Sequence, residues 1–70
     1  MKRSVYYFGL NVRRKRQSLK LNQTECAKCV GCSRNQMSNY EVGNYLPSAE
    51  MILKFADFFG CPIDELFEEV

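Results

Sequence analysis

Seventy residues, 46% hydrophobic and 26% charged, describe one small globular domain over residues 1–70 and exclude a disordered chain. No run of about 18 apolar residues occurs, so no membrane span is expected. The apolar stretch after Lys2 and Arg3 is cut short at Asn11, too early for a signal-peptide core, so the chain is expected to be soluble and cytoplasmic. A core this small needs help from tight packing, a metal, disulfides or a partner.

The net charge is +2, but it is unevenly spread. Residues 1–20 carry seven Lys or Arg and no acid, whereas residues 47–70 carry one Lys and six acids. A solvated helix face would account for the basic end. So would one surface turned toward a polyanion, with the acidic end turned away.

In chain order, Phe8, Val12, Arg16 and Leu19 recur at three- and four-residue spacing and predict a first helix over 5–19. Asn22-Gln-Thr-Glu25 is a capping-box pattern that starts a second helix over 23–30, and Gly31 stops it. Ser33-Arg-Asn-Gln36 is a second box, starting a third helix over 34–41. Gly43, Asn44 and Pro47 mark a loop. Ser48 caps a fourth helix with Met51, Ile52, Phe55, Ala56 and Phe59 on one face, ended by Gly60. Pro62 opens a fifth helix with Ile63, Leu66 and Phe67 facing inward. No stretch alternates with period two, so the fold is expected to be all-α with five short helices.

Helices two and three, joined by a tight glycine turn, have the spacing of a helix-turn-helix. Cys26, Ala27, Val30, Cys32, Met37 and Tyr40 would face its core. Arg34, Asn35, Ser38 and Asn39 would lie on the opposite face of the third helix.

The pieces at 8–16, 21–27, 30–43, 47–48 and 58–67 together resemble the Cro and lambda-repressor type of helix-turn-helix domain, the XRE family. The resemblance covers residues 8–67. Cysteine stands at 26, 32 and 61 where an aliphatic residue is usual, Val42 fills a place more often polar, and Pro62 replaces a Ser or Thr cap. The resemblance implies a compact five-helix lambda-repressor-like domain whose third helix enters the major groove of double-stranded DNA. Arg34, Asn35, Ser38 and Asn39 are then the candidates for base contact. Arg suits guanine and Asn suits adenine. Asn22, Gln23, Ser33 and Asn44 are candidates for phosphate contact, although a plain cap for Asn22 and a turn for Asn44 serve as well. The resemblance also implies an ion pair between Arg16 and Glu41 that locks the first helix to the third. Arg13, Arg14 and Lys15 would add long-range attraction.

C-x-x-C-x-x-C at 26–32, with a distant Cys61-Pro62, resembles bacterial ferredoxin ligation. Here, however, the run starts inside a capped helix, and the chain has no histidine. Cys26, Cys32 and Cys61 are read as small apolar core residues and Cys29 as an exposed thiol, with no metal or cofactor. That thiol could oxidise or crosslink two copies.

The expected function is a DNA-binding transcriptional regulator, a repressor, working as a homodimer. Its dimer patch is expected in the fifth helix, the acidic C-terminus or Tyr6-Tyr7. With no room for an effector domain, regulation would come through abundance, partners or thiol chemistry. The rivals are an antitoxin or another component with a small protein partner, and a thiol- or metal-responsive regulator. An enzyme is not expected: there is no nucleophile motif, phosphate loop or catalytic carboxylate pair.

Overall fold

The computed structural model describes residues 3–70. Met1 and Lys2 lie outside them, and with Lys2 goes one of the seven basic residues counted at the front of the chain. The elements are α1 (Arg3–Ser18), α2 (Gln23–Val30), α3 (Arg34–Glu41), α4 (Ala49–Phe59) and a 3₁₀ turn (Ile63–Phe67). The class is all-α, as expected, but the fifth helix is this single 3₁₀ segment. Its Pro62 boundary offers no side-chain cap, and Ile63, expected inside, is exposed while Leu66 is fully buried.

The boundaries of α2 and α3 follow from their caps. Asn22 Oδ1 accepts from the Glu25 amide at 2.8 Å, and the Asn22 amide donates to Glu25 Oε1 at 2.9 Å. Ser33 and Gln36 repeat the exchange at 3.0 Å both ways. Each reciprocal pair satisfies two backbone donors and contributes about 1 kcal/mol. Between the helices, Gly31 adopts φ 87°, where a side chain would be strained. The amides of Gly31 and Cys32 both donate to the Ala27 carbonyl, closing the end of α2.

α1 begins by Arg3, two residues earlier than the periodicity suggests, and Tyr6 and Tyr7 are helical, as the predicted span over 5–19 has them. Their rings meet edge-on at 5.3 Å. Leu19, expected on the inner stripe, falls in the turn beyond α1 and is half exposed.

The core joins all elements. Phe8, Val12, Cys26, Met37, Phe55 and Leu66 are fully buried. Phe55 is the hub: Phe8 of α1 and Tyr40 of α3 approach it edge-to-face, at 5.6 Å and 6.0 Å, and Phe59 stacks on it at 6.1 Å. A buried aromatic of this kind contributes about 1.5–3 kcal/mol.

Two contacts fix how α1 meets the rest. At Gly9, an added Cβ would lie 2.4 Å from the Tyr40 carbonyl oxygen and 2.6 Å from that of Glu41. The two backbones cross there with no space for a side chain. On another face of α1 the buried Asn11 Nδ2 shares its two hydrogens among the carbonyls of Tyr7 (2.9 Å), Leu66 (3.1 Å) and Glu68 (2.8 Å), clamping the C-terminal segment.

Candidate nucleic-acid interface

α3 has two unlike sides. Its outer side carries the four candidates for base contact. Arg34 and Asn35 occupy the first turn and are exposed, while Ser38 and Asn39 follow one turn on and are half-buried. Positions three and four apart share a helix face, which brings the four together. Asn39 is anchored. Its Nδ2 donates to the Asn35 carbonyl at 3.0 Å, and its Oδ1 accepts from Asn44 Nδ2 at 2.7 Å. The Asn44 amide also donates to the Asn39 carbonyl at 3.0 Å. One amide hydrogen of Asn39 remains for a ligand.

The inner side of α3 is held by a buried polar cluster. Arg16 Nε donates to Glu41 Oε2 at 2.6 Å and Nη2 to Oε1 at 3.0 Å, in the two-pronged geometry that suits guanidinium and carboxylate. Arg16 Nη1 donates to the Leu21 carbonyl at 2.9 Å, and Gln23 Nε2 donates to Glu41 Oε1 at 3.1 Å. The cluster therefore ties the end of α1, the start of α2 and the end of α3. The Arg16 and Glu41 side chains are 11% and 3% exposed. The bond to Glu41 raises the Arg16 guanidinium pKa despite its burial. Among the described residues no buried side-chain nitrogen or oxygen lacks a partner. Such a cluster is stable only when complete.

The phosphate candidates are all engaged within the fold. The oxygens of Asn22 and Ser33 cap their helices, Gln23 turns to Glu41, and Asn44 turns to Asn39. The Asn22 and Ser33 oxygens each occupy one backbone amide at the start of their helix, and the other first-turn amides carry partial positive charge.

The charge pattern folds back on itself. The acidic C-terminal segment packs along α1, where Lys15 pairs with Glu65, and Arg3 stands 3.8 Å from Glu69. The basic front and acidic rear of the sequence are therefore neighbours, not opposite surfaces. The bond to Glu65 raises the Lys15 pKa. Arg13, Arg14 and Arg34 remain exposed.

The cysteines do not converge: among the described residues no three metal-ligating side chains come together. Cys26 is fully buried, and burial pushes its thiol up to about 11. Cys32 and Cys61 are half-buried and pushed the same way, mainly by burial. Cys29 is exposed and opens on a groove between α2 and α4 that Lys28, Lys54 and Phe58 also line.

Three residues that shape this interface escaped the sequence reading: Gly9, Asn11 and, as a partner of Glu41, Gln23. Only Gly9 carried a local signal, a glycine inside a helical stripe.

The chain resembles phage regulators along most of its length. It is 37% identical over 62 residues to the cryptic phage CTXphi transcriptional repressor RstR of Vibrio cholerae, covering 89% of this chain and 56% of that protein. It is 42% identical over 58 residues to the ImmF control region 10 kDa protein of Bacillus phage phi105, covering 83% and 64%. The chain thus spans only part of the length of either relative. Among solved structures, the restriction-modification controller protein C.AhdI from Aeromonas hydrophila superposes with a TM-score of 0.81 at 30% identity, covering 90% of this chain and 96% of that one. The helix-turn-helix family model matches residues 12–66, which span α2, the glycine turn and α3. With the capped helices, the turn and the inner cluster in place, the chain belongs to the helix-turn-helix family of the Cro and lambda-repressor type.

Proposed function

We propose that this chain is a sequence-specific regulator of transcription, a repressor, that reads double-stranded DNA with the outer side of α3. The observation that carries the reading is the exposed first turn of α3, with Arg34 and Asn35 projecting from a helix whose inner side is fixed by Arg16, Gln23 and Glu41. Fixed geometry matters because base readout needs donors and acceptors placed within a fraction of an ångström. Arg34 pairs with guanine O6 and N7, Asn35 and Asn39 with adenine N6 and N7, and Ser38 makes a lesser contact. Phosphates dock on the N-termini of α2 and α3, beside Asn22, Gln23, Ser33 and Asn44. A relative named a transcriptional repressor and a structural neighbour named a controller protein support the repressor reading.

One such unit contacts few bases, so it acts as a homodimer on a two-fold site with half-sites about 34–36 Å apart. Of the places expected for the dimer patch, the fifth element is supported by Ile63, an apolar side chain 39% exposed on the 3₁₀ turn.

Selection of bound duplexes from a random pool tests the reading. An enriched two-fold motif is expected from the wild type, with affinity falling steeply as salt is added. No enriched motif, or an identical motif from Arg34→Ala, would sink it.

A further inference from the structure

The turn that ends α3 holds one side chain of its outer side in place. Val42 is the cap residue, and Gly43 follows in the left-handed region at φ 80°. The Gly43 amide donates to the Tyr40 carbonyl at 3.2 Å, and the Asn44 amide donates to the Asn39 carbonyl at 3.0 Å. Those two bonds define a Schellman turn, which sets the side chain two residues past the cap against the one three residues before it. Such a contact is commonly apolar. Here it is made by Asn44 and Asn39, whose carboxamides hydrogen-bond at 2.7 Å.

That bond fixes which atom of Asn39 points where. Asn39 Nδ2 donates to the Asn35 carbonyl at 3.0 Å. A carbonyl only accepts, so the nitrogen of Asn39 and not its oxygen must face it. Oδ1 is turned to Asn44, which meets it with a donor. One tie alone would leave the carboxamide able to swing about that bond. Two ties, one on each polar atom, set its plane. One hydrogen on Nδ2 and one lone pair on Oδ1 are left over. One donor and one acceptor are what adenine N7 and N6 require.

On these grounds we infer that Asn44 is a positioning residue for base readout: it touches no base and holds Asn39 in the orientation that does. This role rests on the DNA reading proposed above. Readout still begins at the N-terminal residues of α3, Arg34 and Asn35, with Asn39 one turn behind Asn35 on the same face. Asn44 acts only through Asn39.

The test measures affinity for the duplex selected by the wild-type chain and for copies of it changed at one base pair at a time. Asn39→Ala should lose discrimination at one base pair in each half-site, which marks the pair that Asn39 reads. Asn44→Ala should weaken discrimination at that same pair by about three- to tenfold, the worth of one hydrogen bond, and at no other pair. In the Asn39→Ala background, Asn44→Ala should change nothing further. Asn44 is exposed and its backbone bond survives the substitution, so the urea midpoint of Asn44→Ala should match the wild type.

Three results would overturn the inference. One is an equal loss for Asn44→Ala on every duplex, which marks a phosphate contact by Asn44 itself. Another is discrimination by Asn44→Ala that matches the wild type at every pair. The third is a loss that adds in full to that of Asn39→Ala. If the selection yields no motif at all, the DNA reading itself fails. A motif that depends on Arg34 but not on Asn39 removes only this inference.

Discussion

The two sides of α3 use the same polar chemistry for opposite ends. Inside, Glu41 is 3% exposed at its side chain and accepts three side-chain hydrogen bonds, two from Arg16 and one from Gln23. Outside, Arg34 and Asn35 face solvent. A buried polar group is costly unless satisfied, whereas an exposed one loses little stability when removed. The difference teaches that stability and binding should separate cleanly across this one helix, eight residues long. Substitutions inside should unfold the chain. Substitutions outside should leave it folded.

The largest expected effect comes from Glu41→Ala, which strands the Arg16 charge and the Gln23 amide. A loss of about 3–5 kcal/mol is expected, read from urea unfolding. A 70-residue domain holds only about 4–10 kcal/mol in total, so the variant should be close to unfolded at room temperature. Arg16→Met combined with Glu41→Leu should lose clearly less than the sum of the two single losses. Additive losses would mean that the two side chains act independently.

Next comes Gly9→Ala. Its new Cβ meets two backbone carbonyls, which cannot swing aside as a side-chain tip would. A cost of up to about 3 kcal/mol is expected. Far-UV circular dichroism with a denaturant titration would show it, and a neutral result would mean that α1 and α3 can slide apart.

A smaller effect appears with alkali. Unfolded, the Cys26 thiol ionises near 9.0. Folded, burial holds it protonated to about 11. Below pH 9 both states keep the proton and nothing changes. Between about pH 9 and 11 only the native state keeps it, so this thiol lowers stability by about 1.4 kcal/mol per pH unit. Cys26→Ala should show a shallower fall over that window in unfolding midpoint against pH. An unaltered slope would place the alkaline sensitivity elsewhere. The smallest effect is Lys20→Gly. Lys20 holds φ 60°, a left-handed conformation that glycine adopts freely, so stability should rise by up to about 1 kcal/mol in the same titration.

The outer side of α3 was legible because its determinants are local. Two capping boxes and one glycine turn set the bounds of α2 and α3 to the residue. The inner side was legible only in part. The pairing of Arg16 with Glu41 came from family resemblance, since 25 residues separate them. Asn11 gave no local sign of its role, because its partners Leu66 and Glu68 lie 55 and 57 residues away. The 3₁₀ turn looked like a helix because five residues are too few to separate the three-residue period from 3.6. The charge asymmetry misled for a related reason: composition along a chain says nothing of how its ends fold together, and here Lys15 meets Glu65.

The most direct test of the central claim compares two readings on one variant, Arg34→Ala with Asn35→Ala. Its urea midpoint should match the wild type to within about 0.5 kcal/mol per substitution. Its affinity for the selected duplex should fall by about 1–3 kcal/mol per lost base contact, while binding to random duplex changes far less. Equal losses on selected and random duplexes, or no loss on either, would contradict the account.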